Sequence, residues 1–175
     1  MAEVKALAIS MVVLRVICLF ASAASIAVLV TDQFTDSIGQ HLTLKDAITY
    51  RFVLATAVVG AAYALIQMPF AIYFSCTEKR IIRHSFLQEF DFYGDKTISF
   101  LLASGVGAGF TSGFEHKRNL KRFVDIGPDE DFDRIMKFLD IAIVATGLLA
   151  LAFLCMAVVS ICSSIVRSSS RGVWR

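Results

Sequence analysis

Four long apolar runs constrain this chain more than any other feature. They occupy residues 11–30, 52–74, 95–114 and 141–165. As helices, each is long enough to cross the ~30 Å hydrocarbon core of a bilayer at ~1.5 Å per residue. A helix buried in a soluble domain rarely needs such length without a polar face. The predicted fold is therefore all-α, a four-helix transmembrane bundle forming one domain over residues 1–175, with connecting segments at 31–51, 75–94 and 115–140. Composition agrees: 57% of residues are hydrophobic, 18% are charged and the mean hydropathy is +0.68, too apolar for a soluble domain of this size. The net charge of +2, with no basic stripe interleaved with aromatics, argues against a nucleic-acid partner. The lipid bilayer is the first partner.

The third run, DKTISFLLASGVGAGFTSGF, starts with an acid and a base and is then uncharged to Phe114. Gly105, Gly109 and Gly113 recur every fourth residue and so share one stripe of the helix. A stripe without side chains lets another helix approach closely, the usual basis of association in lipid. Gly60 and Ala64, one turn apart in the second run, form a weaker small-residue pair. These five are the predicted helix-packing residues. Whether the stripe packs within one chain or between chains is open at this level.

Arg15 interrupts the first run, and an arginine at mid-helix costs about 2.5–3.5 kcal/mol on insertion scales. It lies four residues inside that run, while Asp95 opens the third run from the same side of the membrane. Side chains lean toward the helix N-terminus and a long arginine stem snorkels. The depths thus match, and an intramembrane ion pair between Arg15 and Asp95 is predicted, joining the first and third spans. Ala21-Ser22-Ala23 resembles a signal-peptidase site, but the apolar run continues past it, so an uncleaved span is expected. Pro69 is expected to kink the second span, with Gln67 beside it.

No catalytic, cofactor-binding or metal-binding residues are predicted. His41, His84 and His116 fall in three different loops, and Cys18, Cys76, Cys155 and Cys162 show neither metal spacing nor a disulfide framework. Cys76 has the position of a juxtamembrane palmitoylation site, though a buried thiol is the commoner reading. After Gly127-Pro128, the acids Asp129-Glu130-Asp131 precede Phe132, Ile135, Met136 and Leu139 at helical spacing, predicting a helix that runs into the fourth span. The tail carries Arg167, Arg171 and Arg175, with Trp174 as an interfacial anchor. With four spans the termini share a side, and the basic residues near the membrane divide eight against eight, so charge alone gives no orientation.

LRVICLFASAASIAVLVTDQ in the first span, TYRFVLATAVVGAAYALIQ in the second and FDFYGDKTISFLLASGVGAGF in the third resemble the plant Casparian strip membrane protein (CASP)-like family, closest to its 4D subgroup. Members carry an arginine in the first span and an aspartate in the third, positions matched here by Arg15 and Asp95. The resemblance implies a MARVEL-like bundle in the plasma membrane with both termini cytosolic. Segments 31–51 and 115–140 are then extracellular and 75–94 cytosolic. It also implies a self-associating membrane scaffold, as a homodimer or a hetero-oligomer with related four-span proteins, linked to cell-wall enzymes. The wall-facing motif of the founding members is not present in residues 31–50. The alternative is a small-solute or ion channel or transporter using Arg15 and Asp95. An enzyme is the least supported class.

Overall fold

The computed structural model describes residues 2–31, 33–35, 41–43, 48–77, 85–123 and 130–172, with side chains at 9–31, 48–72, 91–121 and 135–165. In lipid no water can satisfy the backbone, so β-branched runs that would favour strands elsewhere close their hydrogen bonds within helices. Four helices result: α1 (Ala2–Thr31), α2 (Ile48–Thr77), α3 (Ser85–Phe123) and α4 (Glu130–Gly172). Between α1 and α2 a short antiparallel ribbon is formed by β1 (Gln33–Thr35) and β2 (His41–Thr43), with Phe34 opposite Leu42. This ribbon is the one departure from a purely helical chain among the described residues.

The helices are longer than the uncharged runs. α3 continues nine residues beyond Phe114, and α4 begins eleven residues before Ile141. At helical rise α3 and α4 measure about 58 and 64 Å, against a ~30 Å hydrocarbon core. The excess is divided between the two ends, and at one of them α3 past Phe114 and α4 before Ile141 both continue as helix. The predicted helix start after Gly127-Pro128 is found at Glu130. α2 runs through Pro69 to Thr77 without a break. The Cys76 side chain and residues Arg175 and Trp174 lie outside the described part, as do the side chains of Arg167 and Arg171.

The four helices form a ring in which each packs on its two sequence neighbours and α4 closes back on α1. α1 and α3 thus sit diagonally across the bundle. The interior is built from small and medium side chains such as Ala57, Ala64, Ala142, Ala145, Leu102 and Met156, all fully buried. Many large aliphatic and aromatic side chains face outward, among them Phe20, Leu65, Ile66 and Leu154, while Leu29, Leu102 and Leu149 are buried. This arrangement inverts that of a water-soluble bundle, as expected when the surrounding solvent is hydrocarbon.

Candidate functional site

One end of the bundle holds a polar cluster to which all four helices contribute. α1 brings Arg15, 5% exposed, and α3 brings Asp95, fully buried. The Arg15 Nη2 donates to both carboxylate oxygens of Asp95, at 2.9 and 3.1 Å. Because α1 and α3 are diagonal, this pair crosses the core rather than lining one seam. From α2 the Tyr63 hydroxyl donates to Asp95 Oδ1 at 2.9 Å. Gln67 Nε2 donates to the Tyr63 oxygen at 3.1 Å and to Asp91 Oδ1 at 3.0 Å. Ser163 of α4 faces the same Asp95 carboxylate. Asp91 and Asp95 are one turn apart on α3, which puts both on the face turned to α2.

Along the chain Asp91, Gln67, Tyr63, Asp95, Arg15, Gln67 donates to the Asp91 carboxylate and to the Tyr63 oxygen, while Tyr63 and Arg15 donate to the Asp95 carboxylate. That direction fixes the Gln67 amide orientation, since the reverse would set its oxygen against Asp91. Arg15 acts end-on through one nitrogen. Its Nε and Nη1 are buried with no hydrogen-bond partner among the described residues. A carboxylate taking three charge-oriented hydrogen bonds is well compensated, and a buried guanidinium needs that carboxylate to remain in lipid.

Tyr63 and Asp91 were not legible from spacing alone. Tyr63 reads as an ordinary aromatic of an apolar run, and Asp91 as a loop acid before the span. The missed clue was Gly94. A Cβ there would lie 2.6 Å from the Tyr63 hydroxyl, so the glycine leaves the space through which the ring reaches Asp95. Tyr63→Phe removes one of the donors of Asp95 and the acceptor of Gln67. We expect a loss of about 1–2 kcal/mol in the unfolding free energy, read from denaturation in mixed detergent micelles.

The glycine stripe is consumed inside the chain, and by two helices rather than one. Gly105 faces Thr56 of α2, while Gly109 faces Thr146 of α4 and Gly113 faces Ile143 of α4 and the Tyr50 hydroxyl of α2. In each case a Cβ would be too close to its neighbour. Thr56 and Thr146 turn their hydroxyls onto their own helix carbonyls, at Val53 and Ala142 respectively. The hydroxyl oxygens are the threonine atoms nearest the glycines, and because each is bonded to its own helix carbonyl it leaves no polar atom orphaned. Gly60 receives the end of Leu102 and Ala64 is fully buried. Ser25 Oγ of α1 bonds to the Ala145 carbonyl of α4 at 2.8 Å, tying the closing seam of the ring.

At the opposite end Lys117 and Asp140 form an ion pair that joins the protruding parts of α3 and α4. His116 Nδ1 lies 2.7 Å from its own helix carbonyl at Ser112, so it acts there as a local helix contact. Among the described residues no three His, Cys, Asp or Glu side chains gather in a way that could hold a metal ion.

Compared with known proteins, residues 4–126 match the Casparian strip membrane protein domain. The chain belongs to the Casparian strip membrane protein domain family. The match covers α1, α2 and α3, which supply every member of the polar network except Ser163. Among similar proteins, CASP-like protein 4D1 of Ricinus communis is 34% identical over 155 residues, covering 87% of each chain. CASP-like protein 4D1 of Sorghum bicolor is 35% identical over 170 residues, 86% of each chain. CASP-like protein 4D2 of Arabidopsis thaliana is 38% identical over 120 residues, 69% of this chain and 66% of its own. No solved structure matches. As a member of the Casparian strip family with four helices apolar and long enough to span, this is a multi-pass membrane protein.

Proposed function

We propose that this chain is a non-enzymatic plasma-membrane scaffold, with both termini cytosolic, that self-associates or joins related four-span proteins through the outer face of α3. The observation that carries this reading is the composition of that face. α4 turns large aliphatic side chains to the lipid, and α1 and α2 mix such side chains with alanines such as Ala23, Ala27 and Ala62, whereas α3 exposes Ser104, Gly107 and Thr111 between Phe100 and Phe114, with Gly107 the one exposed glycine among the described residues. Nothing of the chain itself lies within 4 Å of a Cβ at Gly107. These positions alternate by three and four residues, the spacing of a seam between helices. Small residues expose little to lipid chains and allow a second backbone to approach. The inward glycines are already used, so assembly through α3 falls to this other face.

The polar network supports a structural role more than transport. Both carboxylates already hold donors, the network lies at one end rather than at the midplane, and glycines bring the helices together along the rest of the core. Gly107→Leu tests the scaffold reading. Crosslinking and native mass measurement in mild detergent should show assemblies for the unchanged chain, and monomer of unaltered helix content for the variant. Monomer alone for the unchanged chain, or assemblies that persist in Gly107→Leu, would reject this surface.

A further inference from the structure

The donors and acceptors of the network are separated by their order along the chain. The groups that donate to Asp95 come from Arg15 in α1 and Tyr63 in α2, and both carboxylates are in α3. The donors are therefore synthesised before the acceptors exist. α3 is also the least apolar of the four spans. Between Thr97 and Phe114 it has four glycines, three serines and two threonines, with Asp91 and Asp95 at its entry. α1, rich in Val, Leu, Ile and Ala, carries Arg15 with apolar residues to spare. Among the described residues α1 and α3 share little packing across the diagonal, and the ion pair joins them.

We propose that Arg15 retains α3 in the membrane. The α1–α2 hairpin is the template, and its buried guanidinium recruits the carboxylate of a helix too polar to integrate well alone. Membrane crossing by α3 thus depends on a side chain eighty residues earlier in the sequence. This dependence is independent of self-association.

The test is translation of the full chain into microsomes, with a protease-sensitive tag placed between residues 124 and 129. The side on which the tag lies reports whether α3 has crossed. Arg15→Leu makes α1 more apolar, so a loss of α3 in this variant cannot come from failure of α1. We expect Arg15→Leu to lower the ratio of integrated to non-integrated α3 by about tenfold, given the cost of an aspartate in a span. Arg15→Lys, which keeps the charge, should retain most of the integration, and Arg15→Leu with Asp95→Leu should return it to the unchanged level. Undiminished α3 integration in Arg15→Leu overturns the proposal. So does failure of Asp95→Leu to restore it.

Discussion

Gly105→Ala, a single added methyl group, lowers the stability of the bundle, while Gly107→Ala two residues away leaves it equal or better. At Gly105 the new Cβ would lie 3.0 Å from the Thr56 Cβ and closer still to its hydroxyl oxygen. Thr56 cannot turn aside freely, because that hydroxyl is bonded to the Val53 carbonyl at 2.8 Å and the residue is buried. The helices must separate or the threonine must leave its rotamer, and overpacking of this kind costs about 1–3 kcal/mol. Gly107 points to lipid with open space around it, so alanine there gains helix propensity, about 0.5–1 kcal/mol. Unfolding in mixed micelles followed by circular dichroism should separate the two variants by the sum of these effects. Thr56→Ala in the Gly105→Ala background should recover most of the loss, because it removes the hydroxyl oxygen, the closest atom, together with the methyl group and leaves only the Cβ contact. If Thr56→Ala does not help, the contact across α2 and α3 is not the cause.

Asp95→Ala is the second large effect. It leaves Arg15 buried with no carboxylate, and removing one member of a buried pair costs about 3–5 kcal/mol. The Tyr63 hydroxyl loses its acceptor in the same step. Combining Arg15→Met with Asp95→Leu removes both charges and fills similar volume, so the double variant should lie within about 1–2 kcal/mol of the unchanged chain. The measurement is a double-mutant cycle in the same micellar unfolding assay. Additive losses in the double variant would mean that the two residues act separately.

The sequence reading and the structure part company for physical reasons. The number of spans was legible because lipid demands length and the absence of charge. Arg15 and Asp95 could be matched by depth alone, since a helix converts residue count into distance along the membrane normal. Depth does not tell which helices are neighbours, and the ring places α1 and α3 diagonally. The stripe of Gly105, Gly109 and Gly113 was visible as periodicity. Its partners were not, because one narrow face of α3 meets α2 at one level and α4 at the next. The second, outward set at Ser104, Gly107 and Thr111 has the same residue types, so only burial distinguishes the two faces. Tyr63 and Asp91 enter the network through contacts between helices, and Gly94 is a local sign only for Tyr63. The ends of α3 were the least legible, since that helix does not stop where the lipid stops, whereas the acids after Gly127-Pro128 marked the start of α4.

That overshoot determines how the molecule presents itself to its surroundings. Beyond the bilayer, α3 and α4 remain helical and are fastened by Lys117 and Asp140, so the part that leaves the membrane is a stiff post and not a tether. The described outer turns, Lys117 and Asp140 among them, therefore keep a set height and heading relative to the membrane plane.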